Sequence, residues 1–283
     1  MGQRLEALAE ITAVKREKQA AIVHDWQNKW ALEGSCGPRN AGMGYWDELK
    51  RHYNALAREG IAVEFVDQNA DLTGYGLVVV PMLYLLTDAF AKKLCAFAQN
   101  GGTVIVTYWS GVVDESDLCR LGDTPYGLTE LLGLRRTETD GMYDGETRRC
   151  VPSAGCTLPA AQASTLCEVA ALDEKNPAEP LSLYAEDYFA GHPAASVHRY
   201  GKGRAYYLAS RFDEAFYRAF YHDAAKEIGL SPAWPEALPE GVLAVRRGSF
   251  VFVQNCTEQP ATVGNTVLDR YRTAVWKDMD RIF

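Results

Sequence analysis

The sequence has no CxxC pair, no apolar run of membrane-spanning length and no block of basic residues, and each absence removes a class of protein. Its seven cysteines, at 36, 95, 119, 150, 156, 167 and 256, are an odd number scattered over 283 residues. A zinc ribbon or a thioredoxin-like redox site needs closely paired thiols, and the looser spacing from Cys150 to Cys156 is not diagnostic. The pattern reads as reduced thiols in a cytoplasmic protein. No stretch approaches the roughly 20 apolar residues of a membrane helix. Met1–Lys18 is charged and lacks an apolar h-region, so neither a membrane partner nor a signal peptide is expected. Twenty-nine basic residues against 37 acidic ones leave a net charge of −8, which argues against nucleic acid as a partner.

Cofactor chemistry is equally short of signals. Gly74-Tyr-Gly76 and Gly42-Met-Gly44 lack the third glycine of a dinucleotide loop, and no GxxxxGK[ST] occurs. The five histidines, His24, His52, His192, His198 and His222, show no ligand spacing such as HExxH. No cofactor and no metal are expected.

What is present is an α/β pattern. Leu5–Lys18 carries a helical apolar stripe (Leu5, Leu8, Ala9, Ile11, Val14) on a charged background. Ala20–His24 reads as a strand entering an aromatic loop, Asp25–Glu33. Met43–Glu59 reads as a helix with Trp46, Leu49, Tyr53 and Leu56 on one face, stopped by Gly60. Ile61–Val66, Gly76–Met82 and Thr103–Tyr108 are further strands, with a helix over Asp88–Gln99. The unbroken Leu-Val-Val-Val of the third strand has no alternation, as expected where both faces are buried. This order predicts a doubly wound, flavodoxin-like parallel sheet of the class I glutamine-amidotransferase kind. The middle is less regular: a short helix near Gly127–Leu132, a turn-rich Gly141–Pro159, and a hairpin over Val197–Leu208 about Gly201-Lys202-Gly203. Asp213–Ile228 is a helix capped by its aspartate. Pro-rich Ser231–Pro239 then marks a boundary, followed by a small antiparallel β module that begins with Val242–Arg246 and Ser249–Gln254. The expected division is a lead-in helix over 1–19, an α/β domain over 20–230 and a C-terminal β domain over 231–283.

Three kinds of chemistry compete with bland roles for the same residues. An amidotransferase-like hydrolase needs a thiol or hydroxyl on the strained turn after a central strand. Here that position falls at Tyr108 or Trp109, and the nearby Ser110 lacks the GxSxG glycine, so it reads as a turn cap. Glycoside hydrolysis needs paired carboxylates. Asp25 and Glu33 flank the aromatic loop, and Asp114, Glu115 and Asp117 follow Gly111, but such acids more often cap helices or stay solvated. No catalytic residue is therefore assigned. The aromatics stand out more. Trp26, Trp30, Tyr45 and Trp46 fall close together, and Tyr108 and Trp109 end another strand. Trp46 reads as helix core. Trp26, Trp30, Tyr108 and Trp109 are the candidates for a subunit interface or a sugar-stacking platform, with Asp25, Glu33, Asp114 and Glu115 as polar candidates at the same edge.

Several of these segments resemble the central domain of family-42 glycoside hydrolases, which are mainly β-galactosidases. The resemblance rests on Ala21-Ile-Val-His-Asp-Trp-Gln-Asn-Lys-Trp-Ala-Leu-Glu33, Val78–Leu86, Gly101–Glu115, Leu131–Leu134 and Gly201–Leu208, which span about residues 20–230 in the family's order. Phe250–Thr257 is similar to the family's final β module, whereas Tyr271–Phe283 departs from its pattern. In that family a TIM barrel bearing two catalytic glutamates precedes the region seen here, and full-length members hydrolyse terminal β-D-galactosides. The resemblance implies a non-catalytic assembly region that forms a homotrimer. A separate catalytic barrel subunit and galactosides are further candidate partners. The alternative is a stand-alone carbohydrate-binding or regulatory domain.

Overall fold

A computed structural model describes residues 6, 8–14, 17–35, 43–278 and 280–282. The parallel core comprises β1 (Ala20–Val23), β2 (Val63–Val66), β3 (Leu77–Val80), β4 (Thr103–Thr107) and, much later in the chain, β10 (Gly203–Leu208). They lie side by side in the order β2-β1-β3-β4-β10. This is the flavodoxin-like arrangement, in which chain order reverses beside the first strand. Every residue of β1, β3 and β4 is buried, which is why these runs are apolar without alternation.

Helices cover this core as the periodicity predicts. The helix α2 (Tyr45–Arg58) packs on β1, β2 and α5 (Glu214–Ile228), while α3 (Asp88–Gln99) and the short α4 (Thr129–Leu132) pack on β10. Thr87 caps α3 through Phe90 N–H, and Asp213 caps α5 through Phe216 N–H. Two expectations differ. The segment Asp25–Glu33 is not a loop: α1 spans Trp26–Gly34, with Asp25 as its N-cap. Of the helix expected over Leu5–Lys18, the structure shows a 3-10 turn at Ala9–Ala13. Residues 5, 7, 15 and 16 of that stretch lie outside the described residues.

Beyond β10 the sheet continues with antiparallel strands, reaching eleven in all. They are β5 (Leu134–Gly141), β6 (Arg148–Pro152), β7 (Ala161–Leu172), β8 (Glu179–Tyr184), β9 (Pro193–Tyr200) and β11 (Ser210–Phe212). The order from β10 outward is β9-β8-β6-β7-β11, with β5 also paired to β7. The sheet is thus mixed rather than purely parallel, and the turn-rich Gly141–Pro159 contributes one strand to it, β6. The β9–β10 hairpin forms as expected and turns hard against the end of α3. A Cβ on Gly203 would meet the Gly102 carbonyl oxygen at 2.1 Å and that of Ala98 at 2.5 Å. The missing side chain is what permits this approach.

After α5 the chain builds a four-stranded antiparallel sheet, β12-β13-β16-β17, from β12 (Val242–Arg247), β13 (Phe250–Asn255), β16 (Thr273–Lys277) and β17 (Asp280–Arg281). A β14–β15 pair (Ala261–Val263, Thr266–Leu268) lies between β13 and β16 in the chain. These strands bury their own apolar cluster, which includes Val242, Val251, Val253 and Trp276. The Pro-rich link adds Trp234, whose ring meets Trp276 edge-on at 4.9 Å. Ala233 N–H donates to Gly60 O at 2.8 Å and ties the link back to the end of α2.

Candidate functional site

At the C-terminal ends of β1, β3 and β4, side chains bond to the neighbouring loops' backbones. Asn28, fully buried on the inner face of α1, donates to Met82 O at 3.1 Å and accepts from Leu85 N–H at 2.9 Å. Gln68 donates to Asp25 Oδ2 and to Leu85 O, each at 3.2 Å. Thr107 accepts from Met82 N–H and Ser110 from Leu83 N–H. Ser110 is therefore a buried brace. Among the described residues no histidine is hydrogen-bonded to a serine or cysteine, so the amidotransferase arrangement is not assembled.

The outer face of α1 is a different environment. Trp26 and Trp30 are 53% and 62% exposed, and Trp46 from α2 is 42% exposed. Trp26 and Trp30 ring centres lie 6.2 Å apart, and Trp26 and Trp46 5.8 Å apart. His24, the first residue after β1, stacks on Trp46 at 4.7 Å and meets Trp26 edge-on at 5.1 Å. Burial among these rings pushes its imidazole below the ordinary histidine value, with Asp25 opposing the shift. Trp46 was expected in the helix core. It lies in the first turn of α2, and its ring stacks on His24 just past the end of β1.

The other two aromatic candidates are placed elsewhere. Tyr108 is fully buried, because it continues the β4–β10 ladder through its N–H to Leu208 O at 2.7 Å. It cannot form part of an exposed edge, which corrects that expectation. Trp109 is half-buried, stacked on Tyr84 at 5.9 Å, with the Arg136 guanidinium 5.7 Å from its ring centre. No ring contact joins it to the Trp26 group among the described residues. Trp109 also has a left-handed φ of +59°, costly for a bulky residue and held by its surroundings. Of the acids, Asp25 caps α1 and Glu33 pairs with Lys29 at 2.6 Å. Asp114 accepts from Ser116 and Leu118 N–H groups, which lowers its carboxyl, and Glu115 lies 3.6 Å from Arg120.

Two carboxylates that the sequence did not single out bond on either side of this turn. Glu48 of α2 is fully buried and held by Arg211 Nε at 2.9 Å, Tyr217 Oη at 2.9 Å and His52 Nε2 at 3.3 Å. Burial alone would raise its pKa. The neighbouring His52, Arg211 and Tyr217 outweigh that and lower it to about 2. Arg211 also donates to Tyr108 Oη and Met43 O. Glu168 of β7, also fully buried, is held by Arg136 at 2.6 Å, by the Tyr207 hydroxyl and by Trp109 N–H at 3.0 Å. A glycosidase pair must flank a cleft. These two are each closed off by an arginine and a tyrosine, and they hold the fold together.

Fold and surface together define a mixed α/β domain with a braced sheet edge and an exposed tryptophan face. The family model of the β-galactosidase trimerisation domain matches residues 18–231, and the chain belongs to that family. Among curated proteins it is 43% identical over 270 residues to the β-galactosidase BglY of Alicyclobacillus acidocaldarius, covering 93% of this chain and 39% of that protein. It is 33% identical to the β-galactosidase Pbg of Clostridium perfringens, covering 95% of this chain and 40% of that one. Among solved structures, a β-galactosidase from Rahnella sp. R3 superposes with a TM-score of 0.90 at 38% identity, over 98% of this chain and 43% of the other. A catalytic mutant of Gan42B, a GH42 β-galactosidase from G. stearothermophilus, gives 0.88 at 29% identity, over 99% and 42%. The chain thus spans about 40% of the length of these relatives.

Proposed function

We propose that this chain is the assembly region of a family-42 β-galactosidase, and that it forms a homotrimer through the face bearing Trp26, Trp30 and Trp46. In this reading a catalytic barrel, on the same polypeptide or on a separate subunit, performs the hydrolysis of β-galactosides. The observation that carries the interface is the cluster of three tryptophans, each 42–62% exposed, on α1 and the first turn of α2. At about 250 Å² per tryptophan, they expose roughly 400 Å² of mostly apolar surface, within the range of the largest and often functional patch on a protein. Tryptophans are also the residues most enriched where binding energy concentrates.

Light scattering coupled to gel filtration tests this. The expected mass is three times the 31.3 kDa of the chain. The double variant Trp26→Ala/Trp30→Ala should run as a monomer with unchanged circular dichroism, since hot-spot tryptophans contribute about 2 kcal/mol or more each. A monomeric parent at high concentration would overturn assembly; a trimeric double variant would move the interface elsewhere. The same exposed rings suit sugar stacking. Saturable quenching of tryptophan fluorescence by galactose or lactose, lost in the double variant, favours that second reading.

A further inference from the structure

The side of α2 that faces the first turns of α5 carries arginines that neither the tryptophan face nor the buried carboxylates account for. Arg51, Asn54, Ala55 and Arg58 of α2, with Glu214, Tyr217 and Arg218 of α5, line a cavity of about 190 Å³. Ala55 and Tyr217 are buried and make an uncharged floor. The Tyr217 hydroxyl is committed to Glu48 and offers the cavity no donor.

Three guanidinium groups line this space against one carboxylate. Glu214 is held by Arg58 at 2.5 Å, and Arg58 reaches Glu240 at 3.7 Å as well. Among the described residues Arg51 pairs with Glu48 alone, at 4.0 Å, and that carboxylate already belongs to Arg211 at 2.9 Å. Among the described residues no carboxylate lies within ion-pairing distance of Arg218. Two positive charges on neighbouring helices therefore border the cavity without a close counter-charge of their own. The adjoining cleft, toward Pro232–Val242, is different: it adds Glu59, Glu236 and Glu240, with Glu59 paired to His222 at 3.0 Å. Arg58 and Arg218 border that cleft as well, so the excess of positive charge belongs to the smaller cavity's own lining.

We propose that this cavity binds a compact oxyanion, a phosphate group or a carboxylate, gripped by Arg218 and Arg51 with Arg58 alongside. Guanidinium forks match the oxygens of such anions two at a time. The volume lies below the roughly 300–1,000 Å³ of sites for larger organic ligands. A chain of net charge −8 repels anions at long range, so retention depends on this local cluster.

Isothermal titration of the chain with inorganic phosphate, and separately with acetate, at constant ionic strength tests the site. One of the two should bind saturably, and whichever binds more tightly identifies the group. Arg218→Gln should weaken that binding at least tenfold without changing the melting temperature of the unliganded protein, because Arg218 makes no ion pair among the described residues. Glu214→Gln should tighten it, by removing the one negative charge in the cavity and freeing Arg58. Heats no larger than those of matched chloride would overturn the proposal. So would an unchanged affinity in Arg218→Gln, or an effect of that variant on oligomeric state alone.

Discussion

Glu48 stands in the run Tyr45-Trp-Asp-Glu48 at the start of a charged helix, where an acid ordinarily faces water. It is instead fully buried, and its partners come from residues 52, 211 and 217. Nothing local in the sequence marks it, because the arginine that neutralises it is 163 residues away. Breaking such a pair leaves a buried guanidinium uncompensated, so Glu48→Gln should cost about 3–5 kcal/mol of stability at neutral pH, measured by urea denaturation. The same residue shapes the acid limb. Its folded pKa, about 2, lies below the ordinary value of 4.5. The unfolded chain therefore binds the proton more readily between those values. Its contribution is complete above about pH 4.5 and declines as pH falls toward 2. The Gln variant should lack that part of the decline. A variant as stable as the parent, with the same acid limb, would contradict the assignment.

Among the elements, the parallel strands were readable because burial on both faces forces unbroken apolar runs, as in Leu77–Val80 and Thr103–Thr107. The strands β5 to β8 were not. β5 has one buried residue, Leu134 at its start, followed by exposed Arg135, Thr137 and Glu138, and its register with β7 shifts between Arg136 and Glu138. That disturbs the two-residue period by which a strand is recognised. Helix α1 was missed for a related reason. Its buried face consists of Asn28 and Leu32, while its tryptophans face outward. An inward asparagine and outward tryptophans invert the usual pattern, so the stretch reads as a loop. The interface candidates Trp26 and Trp30 were visible as residues, but the helix that aligns them was not. Asp25 makes that helix possible by accepting from Gln27 and Asn28 N–H groups. Asp25→Ala should lower stability by about 1 kcal/mol, more if Gln68 loses its brace. A denaturation midpoint matching the parent would rule out this capping role.

For the whole molecule, the apolar interior is divided. The eleven-stranded sheet and its helices share one cluster, and the C-terminal strands share another, with Trp234 from the link in the second. Trp234→Ala should cost about 3–5 kcal/mol, and the loss should fall on the second cluster. Differential scanning calorimetry should show a low-temperature transition separating from a main transition that does not move. A single peak shifted as one would mean that the two clusters unfold together. The link was legible as Pro-rich; that it carries a core residue was not, since its partner Trp276 is 42 positions downstream.

The β9–β10 turn has a practical bearing on anyone who labels this protein. Gly201-Lys202-Gly203 looks like the natural place to graft an epitope or a fluorescent reporter, being a short hairpin turn rich in glycine. Gly203 backs onto the carbonyls of Ala98 and Gly102, and a Cβ on Gly201 would meet Gln99 backbone atoms at 2.7 Å. An insertion there would lever the end of α3 off the sheet. At Gly145, between β5 and β6, an added Cβ would meet nothing within 4 Å, so a reporter carried there disturbs the packing less than one at Gly201 or Gly203.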